Sequence, residues 1–196
     1  VGLDIKHKEG PLLADIITSL NKYVYTKDTY ADQRYFNLNG NMDWEAVKNQ
    51  FHLTMRDNFY QQPVVSVNSN RPNNIQNTNI FTFGANWVIP VSGKLSFTLI
   101  PQYSQYYYEV LETDNKQYAL NASLLYRMYR LTDVGFQGSV RKVNYDLPAI
   151  ADINFTTLQL TMSGKRAYSN YSLRAGATTV KRGIKVLPVF QVICYG

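Results

Sequence analysis

NIFTFGANWVIPVSGKLSFTLIPQYSQYYYE, residues 79–109, is the stretch that decides the fold. In its first half Phe81, Phe83, Ala85, Trp87 and Ile89 share one face, and Thr82, Gly84 and Asn86 lie opposite. In its second half Leu95, Phe97, Leu99, Pro101, Tyr103 and Tyr107 share a face, with Ser96, Thr98, Gln102, Ser104 and Tyr106 on the other. Alternation with period two is the signature of a strand that is apolar on one side and polar on the other. Each arm runs past about 10 residues, whereas strands of ordinary globular domains centre on about 5–6. A tilted strand needs roughly 9–11 residues to cross a bilayer. A hairpin of a membrane β-barrel wall, turning at Val91–Gly93, is therefore expected.

The same rhythm runs outward in both directions. Alternating segments occur over 34–44, 51–56, 117–128, 134–141, 157–165 and 171–178, and a short one over Val1–His7. Residues 15–27 read as a further strand because β-branched and aromatic residues gather there; a short amphipathic helix over Leu12–Leu20 is the alternative. Connections alternate between short (45–48, 91–93, 130–133, 166–169) and longer (28–32, 61–78, 110–115, 146–152). Outer-membrane barrels have short turns at one end and longer loops at the other. The expectation is an all-β chain, 1–196, forming an antiparallel up-and-down transmembrane β-barrel of about 10–11 strands, either complete or part of a larger one. The segment 61–78, with two prolines and several asparagines, is expected to be a long surface loop. The tail 184–196, IKVLPVFQVICYG, is apolar on both faces and departs from the pattern. It reads as a missing or altered native terminus, or as a last strand buried on both sides. The start, VGLDIKHKEG, has neither Met nor an apolar leader, so a mature or truncated chain is expected.

Composition narrows the function classes. No run approaches about 18 apolar residues, which excludes a transmembrane helix. Sixteen Tyr, 9 Phe and a 45% hydrophobic content suit strands with one lipid face and one wet face. The net charge of +6 is dispersed with no basic aromatic motif, so nucleic acid is not an expected partner. Two histidines, His7 and His52, and one cysteine, Cys194, give no metal-ligand spacing, and no cofactor or metal is expected. The lone cysteine allows no internal disulfide.

NLNGNMDWE (37–45), RDNFYQQP (56–63) and RPNNIQNTNIFTFG (71–84) together resemble the outer-membrane β-barrel family associated with PEP-CTERM exopolysaccharide systems of Gram-negative bacteria. The resemblance covers roughly residues 30–182. It implies an outer-membrane location and a role in export or surface attachment of exopolysaccharide, and it brings no catalytic residues. Barrels of this family are usually longer, which would leave an incomplete wall with two unpaired edges here.

If the apolar faces meet lipid, Arg56, Arg127, Arg141, Lys165 and Arg174 point into the lumen and make it net positive. Such a wall would favour anionic solutes, an anionic polysaccharide among them. The plainer reading pairs these bases with Asp43, Asp57 or Glu109. Trp44, Trp87, Tyr103 and Tyr107 lie near strand ends, where amphipathic rings form a girdle at the lipid headgroups. The run Tyr106–Tyr108 has a second reading, stacking on sugar rings. His52 is expected to face the lumen, and no G-x-S-x-G surrounds a serine, so no enzyme is expected. Three functions remain: a passive conduit or wall component, a barrel that binds a partner through 61–78, or a soluble barrel carrying a small ligand.

Overall fold

The computed structural model describes residues 1–25, 32–65, 74–129, 131–166, 169–182 and 185–195, without the side chains of 165, 166, 169 and 185–195. Eleven strands succeed one another: β1 (Gly2–Glu9), β2 (Leu12–Tyr23), β3 (Gln33–Val47), β4 (Phe51–Pro63), β5 (Ile75–Pro90), β6 (Leu95–Tyr108), β7 (Asn115–Tyr129), β8 (Thr132–Tyr145), β9 (Ile153–Arg166), β10 (Ser169–Lys181) and β11 (Lys185–Tyr195). Each pairs antiparallel with its neighbours in sequence, giving one sheet in the order β1 to β11. The fold is all-β and up-and-down. Among the described residues β1 and β11 each have one strand partner, so the sheet is an open wall.

Local chemistry explains the hairpins. Gly10 adopts φ 64° in the two-residue connection between β1 and β2, a conformation glycine accepts without steric cost. Asn49 does the same at φ 58° between β3 and β4, and Glu45 accepts its backbone N–H at 2.6 Å. Between β5 and β6 the Ser92 hydroxyl accepts the N–H groups of Lys94 and Leu95 at 3.3 and 3.1 Å. These connections share one end of the wall.

At the opposite end, four longer connections are closed by one repeated device. The residue immediately before the returning strand accepts a backbone N–H from where the outgoing strand ends. Tyr25 N–H reaches Asp32 Oδ1 (3.4 Å), Val65 reaches Asn74 Oδ1 (2.9 Å), Tyr108 reaches Asp114 Oδ1 (2.7 Å) and Tyr145 reaches Asp152 Oδ1 (3.3 Å). Asp and Asn side chains imitate a backbone acceptor in this way. The connection between β10 and β11 at this end is short, an exception to the alternation of lengths.

Several boundaries differ from the sequence reading. Strand β2 starts at Leu12 and ends at Tyr23, so no helix forms over Leu12–Leu20. The segment 61–78 is not loop at its two ends: Gln61–Pro63 extend β4 and Ile75–Thr78 extend β5, because the asparagines and glutamines pair backbone to backbone above the apolar zone. Of its centre, 66–73 lie outside the described residues. Residues 45–47 belong to β3, and a bulge between Glu45 and Val47 moves the turn to 48–50. The atypical tail pairs with β10 from Lys185 to Tyr195.

Packing is inverted relative to a water-soluble domain. Among the described residues the buried polar side chains are Gln76, Thr78, Ser104 and Asn115, and the buried hydrophobic one is Val143. Cross-strand register places all five on the polar face, which is therefore the crowded, concave side. Phe36, Trp44, Phe83, Trp87, Phe136 and Leu158 are exposed on the other face, Phe136 and Leu158 at 68%. The accessible surface is 13893 Å². A water-soluble monomer of this mass would expose about 9,500 Å². A single layer, with no second layer packed on its apolar face among the described residues, accounts for the excess.

Candidate functional site

The polar, concave face holds the chemistry. Register puts Arg56, Arg127, Arg141 and Arg174 on it. Lys165 pairs through its backbone with Asn170 on β10, and its side chain lies outside those described. The four arginines meet different surroundings. Arg127 stands opposite Asp133 beside a bulge and forms an ion pair, Nε to Oδ1 at 3.0 Å. Arg141 lies over the Phe155 ring, 4.3 Å from its centroid. Arg56 and Arg174 are exposed and have no ion pair among the described residues.

The face was expected to be net positive, and register sets acids beside its bases, Lys6 and Lys8 of β1 among them. Asp4, Asp15, Asp43 and Glu45 share the polar face on β1–β3, and Asp133 joins them on β8. Acids and bases are interleaved toward β1, where Lys6 bonds to Asp4 at 2.8 Å, whereas Arg56, Arg141 and Arg174 on β4, β8 and β10 have no carboxylate partner among the described residues. The carboxylate partners expected from sequence are also corrected. Asp57 belongs to the apolar face opposite Phe81, and Glu109 Oε2 accepts the Asn77 N–H at 3.0 Å. Asp43 pairs instead with His52.

Sequence reasoning left His52 without a partner, and the structure supplies two. His52 Nδ1 is 2.9 Å from Asp43 Oδ1, and Nε2 is 3.7 Å from Glu45 Oε1. Counted from the turn, the bulge between Glu45 and Val47 brings Glu45 rather than Ala46 opposite His52, an offset that strand alternation does not reveal. The nearby Thr54 hydroxyl donates to the Gly84 carbonyl at 3.5 Å. The cluster places the His52 imidazole between two carboxylates.

At the end with longer connections, the β6–β7 connection folds over the polar face. Gln76, 1% exposed, accepts the N–H groups of Val110 and Leu111 at 3.3 and 3.0 Å. Thr78 beside it is 0% exposed. The Tyr106–Tyr108 run splits, with Tyr106 and Tyr108 on the polar face and Tyr107 on the apolar one. A hollow of ≈ 440 Å³ opens in the polar face across β6–β10, beside Arg141 and Phe155.

On the apolar face, Trp44 and Trp87 lie toward the end with short connections, and Tyr103 and Tyr107 toward the other. Trp87 makes an edge-to-face contact with Phe51 at 6.1 Å, and Tyr103 a tilted one with Tyr118 at 5.3 Å. The apolar stretch from Phe36 to Trp44 spans about 27 Å along the strand at about 3.4 Å per residue. At a strand tilt of about 35–45° that is about 19–22 Å of height, close to the roughly 25 Å apolar band of membrane barrels.

No family model matches the chain, and no curated protein matches it in sequence. Two solved structures share its fold. The siderophore receptor PirA of Pseudomonas aeruginosa aligns over 95% of this chain and 36% of its own, with 14% identity and a TM-score of 0.55. The outer-membrane expressed OmpT of Vibrio cholerae aligns over 97% of this chain and 61% of its own, with 12% identity and a TM-score of 0.51. The chain thus spans less than two thirds of either neighbour. Its fold is that of outer-membrane β-barrel proteins.

Proposed function

We propose that the chain is a wall of an outer-membrane β-barrel whose apolar face meets lipid and whose polar face lines a passive conduit. The observation that carries this reading is the inverted packing: large apolar side chains exposed on the outer face, polar side chains buried on the inner one. In water an apolar surface of this extent would drive association. In a bilayer it is the required surface, and every inward position remains free to be polar. Trp44 and Trp87 would then form one girdle and Tyr103 and Tyr107 the other, with bilayer lipid as the first partner.

The passenger on this reading is a polar solute with a preference for anions, guided by Arg56, Arg141 and Arg174. Rings of guanidinium groups raise the local concentration of anions. The resemblance at 37–45, 56–63 and 71–84 supports an exopolysaccharide as that solute. A soluble carrier would need its apolar face inside, and the concave face here is the polar one.

Refolding with and without detergent micelles tests the reading. A compact species whose gel mobility shifts on heating, formed only with micelles and conducting ions in planar bilayers, is the expected result. A monodisperse monomer without detergent would overturn the membrane reading, and a folded species without conductance would overturn the conduit.

A further inference from the structure

The hollow in the polar face has a definite construction. Ala119 stands opposite Gln102 on β6 and Arg141 on β8, and Arg141 stands opposite Phe155 on β9. A methyl group between two long side chains leaves the space. The next rung, Asn121, Ser139, Thr157 and Thr178, is all amide and hydroxyl. The volume, ≈ 440 Å³, falls within the roughly 300–1,000 Å³ of small-ligand sites.

Its charge is equally definite. No Asp or Glu lines the hollow, and Arg141 has no carboxylate within ion-pair distance among the described residues. Stacking on Phe155 restrains the guanidinium while leaving its edge N–H groups without a partner among the described residues. Arg127, by contrast, is already neutralised by Asp133.

We propose that this hollow is a subsite for a carboxylate-bearing sugar residue. Arg141 holds the carboxylate with two parallel N–H···O bonds, the geometry for which a planar guanidinium is suited. Gln102, Asn121 and Ser139 take the ring hydroxyls, since amides and hydroxyls both donate and accept. A single guanidinium in neutral surroundings matches a singly charged carboxylate; among the described residues no second cation lines the hollow for a phosphate dianion. The inference rests on the conduit reading and deepens it, making the passenger a uronate-containing glycan. Its binding is weak enough for onward passage.

Calorimetric titration of the full chain in detergent micelles tests this, with trigalacturonate, its methyl ester and inorganic phosphate as probes. Trigalacturonate is expected to bind, its ester about tenfold more weakly, and Arg141→Gln to lose about tenfold in affinity for the acid alone. Arg141→Lys is expected to recover part of the loss. Ala119→Phe fills the hollow and is expected to abolish binding with the heat-shifted mobility unchanged. Equal binding of acid and ester, no effect of Arg141→Gln, or phosphate binding as tightly as the trimer would overturn the proposal. So would absence of binding to a heat-modifiable species. Conductance without Arg141-dependent binding sinks only the subsite, whereas binding without conductance sinks only the conduit.

Discussion

The backbone N–H of Tyr108 donates to Asp114 Oδ1 at 2.7 Å, and this single bond closes the base of the β6–β7 connection. It is the shortest of four such closures, the others being Tyr25 to Asp32, Val65 to Asn74 and Tyr145 to Asp152. The side chain supplies the acceptor that the next rung of the ladder would otherwise have supplied. Asp114→Ala is expected to cost about 1–2 kcal/mol of stability. Urea unfolding in micelles measures it, with faster hydrogen exchange confined to Tyr108 and its neighbours.

Phe136 and Gln137 are adjacent in β8 and face opposite ways. If lipid covers the outer face, Phe136→Arg is expected to destabilise by about 2–4 kcal/mol. Gln137→Arg is expected to stay within about 0.5 kcal/mol. Unfolding from lipid vesicles compares the two. At 68% exposure, Phe136 would tolerate Arg readily if water covered it, so equal effects of the two variants would count against lipid contact.

Arg127 and Arg174 both belong to the polar face, but Arg127 is paired with Asp133. Exposed pairs contribute little, so Arg127→Gln should change stability by under about 1 kcal/mol. It should also alter anion selectivity less than Arg174→Gln does. Reversal potentials under a salt gradient separate the variants; a larger effect at Arg127 would contradict the assignment.

Asp32 lies just before β3, and a hydrogen bond from Lys22 holds its carboxyl below the ordinary value, against a smaller opposing effect of burial. A lowered carboxyl contributes stability above its unfolded value, and that contribution is lost as pH falls through the lowered one. Asp32→Asn should remove the increment near neutral pH and make the acid limb shallower. Both groups are exposed, so the amplitude is small. Unfolding free energy against pH checks the sign.

Every feature that depends only on a period of two was legible in the chain itself. Successive side chains in a strand leave on opposite faces, so the apolar set of 81–89 and 95–107 could be read without knowing any neighbour. The hairpin around 91–93 likewise uses local chemistry, whereas Asp114 and Asp152 read only as loop positions until the outgoing strand ends stand beside them. The boundaries of 61–78 were less legible, because Asn and Gln signal turns by composition yet extend β4 and β5 here.

Which side chains stand beside one another became definite only when the strands were paired. Two bulges, at Glu45/Val47 and at Arg127/Tyr129, each shift a register by one residue relative to the adjoining turn. With the same turns and no bulges, Glu45 would not oppose His52, nor Asp133 oppose Arg127. Ala119 opens a hollow because Gln102 and Arg141 flank it from strands that no local pattern aligns. Alternation is a property of one chain segment, whereas register is a property of two, set by turns and bulges outside the segment that carries the side chain.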